Sequence, residues 1–264
     1  FTPNLGKVEK HISLSQAIES VGLSTATPIR TIADKYVVAC EELYFYVTKR
    51  LEGKQLKAST MYFEEYMEKA RFIGEIIGQL DMAFTKIDVI TNQANVFKSA
   101  KEWAIPTLAG KIDLPKIFIE KYERILSDIY ETLPQQIIHR DLNPGNLILN
   151  GDNWGILDFD LSERNIRIFD PCYAATAILS ESFESTNTDK LSQWITIYKN
   201  IMYGYNEVVK LSNNEWKAIP YVVITNQLIA TAWFLEREKY RELYETNKKM
   251  TEWMLQNFDD MLFE

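Results

Sequence analysis

The chain has few of the residues that staple or bridge a protein. Two cysteines, Cys40 and Cys172, and two histidines, His11 and His139, are all that its 264 residues hold. That is too few for a disulfide framework or a Cys/His zinc site. Both cysteines stand in apolar surroundings and are expected to be buried free thiols in a reducing compartment, which points to the cytoplasm. Positive charge is also short: 29 Lys and Arg face 37 Asp and Glu, a net charge of −8. Neither a nucleic acid nor an anionic membrane is therefore the expected partner. No run of about 18 uninterrupted apolar residues offers a bilayer span, and no basic segment leads into an apolar one as in a signal peptide. Internal repeats and low-complexity linkers are missing as well. The chain starts at Phe1 without an initiating Met, so upstream residues are expected.

What is present supports a sizeable core, with 46% of residues hydrophobic and 12% aromatic. Residues 1–56 read as mixed α and β. The helical pattern VEKHISLSQAIES stops near Gly22, and an antiparallel hairpin follows, 36–40 with 44–50, ending at Gly53. Beyond it the pattern turns helical. Over 60–84, Phe63, Met67, Ala70, Ile73, Ile77, Leu80 and Phe84 recur at spacings of three and four, which predicts one buried stripe. Gly74 and Gly78, one turn apart, predict the close approach of another backbone. Residues 114–133 read as a helix with Asp113 as N-cap and Pro115 in its first turn, burying Phe118, Tyr122, Ile125 or Leu126, and Ile129. Further helices are predicted at 189–210, 213–236 and 238–262. Ser212 to Glu215 has the form of a capping box, and Pro220 is expected to bend the helix that follows. The boundary falls near residue 53, between a small sheet-rich part, 1–53, and a larger helical part, 54–264.

Residues 137–160, IIHRDLNPGNLILNGDNWGILDFD, set charged and amide side chains at the edges of an apolar run. Burying such groups without partners is costly. LILN and WGILDF read as strands joined by the turn residues Gly151, Asp152 and Asn153. A short hairpin lays the loop before its first strand beside the end of its second, so Asp141 and Asn146 should meet Asp158 and Asp160. Carboxylates gathered this way call for a cation. With no Cys and one His nearby, Mg²⁺ suits them better than zinc. Mg²⁺ takes one or two carboxylates and completes its shell with water and phosphate oxygens, which points to a nucleotide substrate.

His139-x-Asp141, Asn146 five residues after that Asp, and Asp158-x-Asp160 at the end of the next strand resemble the catalytic core of the aminoglycoside phosphotransferase family, relatives of the protein kinases. GLSTATPIRT, the two strands after it and RLEGKQL are similar to the family's small lobe running into its hinge. RNIRIFDPCYAAT is similar to the segment that follows its metal site. The resemblance implies an α+β, bilobal protein-kinase-like fold. Its small antiparallel-sheet N-lobe would be truncated here, and its larger C-lobe mostly helical. It also implies transfer of the γ-phosphoryl group of ATP, with GTP as the alternative, to a hydroxyl of a small molecule. Asp141 would be the catalytic base, with Asn146 and Asp158 holding Mg²⁺ and Asp160 assisting. The nucleotide base would lie against the hinge at Lys49, Arg50 and Leu51, while His139 and Asp170 support the catalytic loop. Only 11 residues separate Asp158 from Asp170, too few for a protein-kinase activation segment. With Asp160 in place of the protein-kinase glycine, this implies the small-molecule branch.

The match is incomplete at the N-terminus. Neither a glycine-bearing hairpin over the phosphates nor a third-strand basic residue is visible. FTPNLG reads as the end of that strand, which puts the basic residue before Phe1 and leaves Lys7 and Lys10, on the following helix, as poor substitutes. The helix acid is Glu9, Glu19 or neither; His11 stands near its place, with an exposed helix residue as the plainer reading. Arg140 either pairs with a nearby carboxylate or is solvated, Trp154 reads as packing, and Asp81 carries no assigned function. The acceptor stays open among an aminoglycoside, choline, homoserine, a methylthio-sugar and other small alcohols. Asp259, Asp260 and Glu264 either meet a cationic acceptor or form a solvated helix end. Two other functions compete. A nucleotide-binding pseudokinase, acting as regulator or scaffold, is motivated by the unseen phosphate loop and opposed by the intact Asp141, Asn146 and Asp158. A metal-dependent hydrolase would explain the carboxylates but not the hinge-like small lobe.

Overall fold

Asn4 opens the first element of the computed structural model, which describes residues 4–263. Its side chain accepts the Lys7 N–H and caps α1 (Leu5–Ser20), whose inner face buries Val8, Ile12, Leu14 and Ile18. The cap corrects the reading of FTPNLG as a strand end, because Leu5 and Gly6 already belong to the helix. Phe1, Thr2 and Pro3 lie outside the described residues. A hairpin follows, β1 (Val38–Cys40) with β2 (Leu43–Phe45), pairing Val38 with Phe45 and Cys40 with Leu43. It is shorter than expected and its first strand is exposed throughout. Cys40 is accordingly an exposed thiol, not a buried one, whereas Cys172 is buried.

After β3 (Lys54–Gln55), the apolar period over 60–84 proves longer than the helix it predicts. Glu65 takes a left-handed φ of 59° and separates a 3₁₀ turn at Ala58–Tyr62 from α2 (Tyr66–Phe84). Phe63, before that break, and Met67, in the first turn of α2, are exposed, while Ala70, Ile73, Ile77, Leu80 and Phe84 are buried. An irregular segment leads on: α3 (Val96–Ser99), a π-helical turn at Ala100–Ala104, and α4 (Ile105–Leu108). Asp113 does not cap α5 (Lys116–Ile129). Pro115, at ψ 118°, holds the N-cap position without a side-chain bond, and the Asp113 N–H donates to Glu252 Oε1 at 3.3 Å. The buried face of α5 is Tyr122, Leu126 and Ile129.

Four strands carry the centre of the chain: β4 (Gln135–Ile138), β5 (Leu147–Asn150), β6 (Asn153–Ile156) and β7 (Glu163–Ile166). β5 and β6 form the expected hairpin, with Leu147 opposite Ile156 and Asn150 opposite Asn153. The turn is thus the pair Gly151–Asp152, with Gly151 at φ 60°. β3 adds to the other edge of β5, and β4 pairs antiparallel with β7.

The remaining helices are α6 (Phe169–Ser180), α7 (Thr188–Val208), α8 (Asn213–Leu235) and α9 (Arg241–Gln256). Both halves of the Ser212–Glu215 capping box form at the start of α8. That helix is long and apolar enough to cross a membrane by length and composition, yet 72% of its apolar window is buried inside the fold, as in a core helix. The span 238–262 is not one helix. Tyr240 and Asn257, both with ψ near 24°, set 3₁₀ turns at Glu238–Tyr240 and Phe258–Met261 on either side of α9. Residues from α1, α2 and α5 to α9 share one hydrophobic core with β4 to β7. α2 and α7 cross closely, because a Cβ on Gly74 would lie 2.1 Å from the Ile201 carbonyl oxygen and one on Gly204 2.0 Å from that of Arg71.

Candidate active site

The loop from His139 to Asn146 leaves β4 and enters β5, and its backbone is tied from below. Asp170, in the first turn of α6 and fully buried, accepts the N–H groups of His139 at 2.7 Å and Arg140 at 2.8 Å. Burial raises the Asp170 carboxyl to about 7, against the pull of those two N–H bonds. The His139 Nδ1 accepts the Asp141 N–H at 3.3 Å, which fixes the tautomer: Nε2 carries the proton and donates to the Leu157 carbonyl at 2.8 Å. Burial pushes the imidazole down to about 4, so the ring is neutral framework between loop and hairpin. Arg140, at φ 72°, pairs through Nε with Glu163 at 3.1 Å.

Above this base the Asp141 carboxylate is held by three side chains. Tyr173 donates to Oδ1 at 2.7 Å and Asn143 to the same oxygen at 3.1 Å. Asn146 donates Nδ2 to the Asp141 backbone oxygen at 2.7 Å and to Oδ2 at 3.2 Å. A cleft of about 410 Å³ opens beside this group, lined by Asn143, Tyr173 and, on the far side, α8 residues including Asn226 and Gln227.

The hairpin completes the juxtaposition. Leu157 N–H donates to the Asn146 carbonyl at 2.9 Å, so the strand leading to Asp158 runs beside the loop end. Asp158 sits at φ 60° and its Oδ1 accepts the Asp160 N–H at 3.3 Å. The Asp160 carboxyl is raised by burial first and by the Asp158 charge second. Two carboxylates that repel each other beside a side-chain amide form an all-oxygen donor set suited to a hard cation. Among the described residues no group of three or more His, Cys, Asp or Glu is placed to hold a metal unaided. Water or phosphate oxygens would have to complete the shell.

Other sequence-derived candidates lie elsewhere. Lys49 donates its backbone N–H to Thr27 and pairs with Glu19 at 3.6 Å, Arg50 is exposed, and Leu51 packs over Gly155 on β6. Leu51 also lines a separate cleft of about 250 Å³ with Ser24, Glu52 and Trp154. Neither helix carboxylate turns to the segment at Asp158–Asp160: Glu9 is exposed and Glu19 sits with Thr27 and Lys49. Asp259 and Asp260 are exposed and do not line the cleft beside Asp141, and Glu264 lies outside the described residues. Asp81 is buried and accepts from the Tyr205 hydroxyl, a contact between α2 and α7.

His11 is the main correction. It is 4% exposed, accepts the Phe159 N–H on Nδ1 at 3.1 Å, and stands 3.8 Å from Asp158 Oδ1. Because Nδ1 accepts that N–H, the contact with Asp158 is not an ion pair. Lys7 reaches within 3.9 Å of Asp160, and Lys10 donates to the Ser162 carbonyl at 2.9 Å. These three residues, at i, i+3 and i+4, put a basic helix face against residues 158–162. Sequence reasoning also passed over Asn143 and Tyr173. Tyr173 lies three residues after Asp170 on the same helix, and that spacing was the available signal.

Small antiparallel sheets, a catalytic-type loop and hairpin, and a helical larger part define an α+β bilobal protein-kinase-like fold. Solved kinases of small molecules share it. Amicoumacin kinase hAmiN, in complex with AMP-PNP, Ca²⁺ and Ami, has a TM-score of 0.68 at 13% identity over 94% of this chain and 78% of its own. A choline/ethanolamine kinase family protein from Mesorhizobium loti gives 0.66 at 12% identity, over 97% and 82%. The GDP complex of wild-type aminoglycoside 2'-phosphotransferase-IIIa gives 0.59 at 14%, over 92% and 81%. No curated protein sequence matches the chain significantly. The profile of the phosphotransferase enzyme family matches residues 9–197, and the chain belongs to that family, as a small-molecule kinase.

Proposed function

We propose that the protein transfers the γ-phosphoryl group of ATP, with GTP as the alternative, to a hydroxyl of a small molecule in the cytoplasm. The observation that carries this reading is the Asp141 carboxylate, held by Tyr173, Asn143 and Asn146 on a loop whose end at Asn146 is hydrogen-bonded to the strand that leads to Asp158 and Asp160. The neighbours' AMP-PNP, Ca²⁺ and GDP support a nucleotide and a divalent ion in this fold.

Transfer forms a bond from the acceptor oxygen to the γ-phosphorus and breaks the bond to the β–γ bridging oxygen, releasing the nucleoside diphosphate. The acceptor proton goes to Asp141 as that bond forms, when the alcohol becomes acidic. Oδ1 already accepts two hydrogen bonds and Oδ2 one, so Oδ2 has room for the incoming proton. Asn146 spends its Nδ2 on Asp141, which leaves its Oδ1 for Mg²⁺ with Asp158, while Asp160 assists. Bound Mg²⁺ would neutralise phosphate charge. Lys7 and Lys10 bring positive charge to the same end of the loop, and His11 holds the backbone between the two Asp residues.

Replacing Asp158 with Ala should weaken Mg²⁺-dependent nucleotide binding at least about tenfold in a calorimetric titration. A variant that binds Mg²⁺ and ATP with wild-type affinity would remove Asp158 from this role.

A further inference from the structure

The backbone on both sides of Asp158 is held by the protein's two histidines. The peptide before it presents the Leu157 carbonyl, which accepts from His139 Nε2 at 2.8 Å. The peptide after it presents the Phe159 N–H, which donates to His11 Nδ1 at 3.1 Å. Those two peptide planes set φ and ψ of Asp158. The residue stands at φ 60°, a region that residues other than glycine keep only where their surroundings hold them. Its side chain is 51% exposed, so its aim depends on the backbone more than on packing.

The two imidazoles come from different parts of the chain. His139 belongs to the loop that carries Asp141, whereas His11 lies on α1 and is buried. With Nδ1 accepting, His11 Nε2 carries the proton, and it has no hydrogen-bond partner among the described residues. The hydrogen bond that fixes this ring is therefore the one to Phe159. The buried Phe159 ring packs against both imidazoles, with centroids 6.3 Å from His11 and 5.0 Å from His139. Without the His11 acceptor the buried Phe159 N–H would have to find another partner, and ψ of Asp158 would turn with it.

Resting on the phosphotransferase reading above, we propose that His11 is a positioning residue. By holding the Phe159 N–H it fixes the backbone turn that aims Asp158 at the divalent cation, and so couples the seating of α1 to metal binding.

Calorimetric titration with AMP-PNP, in EDTA and in Mg²⁺, gives the gain in nucleotide affinity that the metal supplies. His11→Leu fills the space without an acceptor, while His11→Asn offers Oδ1 in the place of Nδ1. The Leu variant should lose about tenfold of the Mg²⁺-dependent gain with its metal-free affinity unchanged, the usual cost of freeing a metal ligand from the group that holds it. The Asn variant should recover most of the gain. An undiminished gain in His11→Leu, or an equal loss with and without Mg²⁺, would assign His11 to the fold alone and overturn the proposal while leaving the phosphotransferase reading standing. A wild type whose nucleotide affinity Mg²⁺ does not raise counts against both. A second measurement needs no variant, because coupling is reciprocal. Adding Mg²⁺ to the wild-type AMP-PNP complex should slow amide exchange at Phe159 about tenfold more than at Ile201, a buried residue of α7. Equal slowing at the two positions would overturn the proposal.

Discussion

His139 shows how one buried side chain ties stability to pH. Its ring is neutral because burial holds its pKa near 4, below the ordinary 6.5. As pH falls below 6.5 the unfolded chain binds a proton that the native ring refuses, so the contribution is complete above 6.5 and is lost on the way down to 4. The loss is on the order of 3 kcal/mol. It should appear as extra pH dependence of urea unfolding in the wild type relative to His139→Asn, whose side chain does not titrate. Parallel profiles between pH 7 and pH 4 would contradict the assignment. His11→Ala removes the acceptor of the buried Phe159 N–H. It should cost about 1–3 kcal/mol of unfolding free energy, and an unchanged urea midpoint would show that bond to be dispensable. At this scale the sequence was most legible where spacing is rigid. The approach of the loop at Asp141 and Asn146 to the strand that ends in Asp158 and Asp160 follows from hairpin geometry. The place of His11 did not, because the contact spans 148 residues and nothing local signals which helix face turns inward.

Among elements, the crossing of α2 and α7 rests on missing side chains. Gly74, Gly78 and Gly204 let the backbones approach, and a methyl group at Gly204 would meet the Arg71 carbonyl at 2.0 Å. Alanine is the better helix former by about 1 kcal/mol, yet overpacking should outweigh that gain. Gly204→Ala is expected to destabilise by about 3 kcal/mol, read from denaturant unfolding; a variant as stable as the wild type would show that the helices can slide apart freely. Gly74 and Gly78 announced this contact by their spacing, while Gly204, alone on its helix, did not. The β4–β7 pair was also not legible. β7 carries Glu163, Arg164 and Asn165 without a clean alternation, and its partner lies a loop and a hairpin away. The capping box at Ser212 was legible because both of its bonds are local. The stripe at 60–84 misled at Phe63, because periodicity carries no mark of a left-handed residue such as Glu65.

For the whole molecule, the net charge of −8 does not say where charge collects. The acidic tail residues Asp259 and Asp260 lie away from the cleft beside Asp141, whose walls are mainly amide, hydroxyl and apolar. The site forms where loop and hairpin meet α1 and α6. The central claim is that Asp141 receives a proton from a small-molecule hydroxyl during phosphoryl transfer. It is tested most directly by comparing wild type and Asp141→Asn in Mg²⁺-dependent transfer from γ-labelled ATP to small alcohols, with nucleotide binding measured alongside. Label transfer that falls by about a hundred- to ten-thousand-fold in the variant while ATP still binds is the predicted result. Transfer at the wild-type rate by Asp141→Asn, or ATP binding abolished in the variant with Asp158 intact, would contradict it.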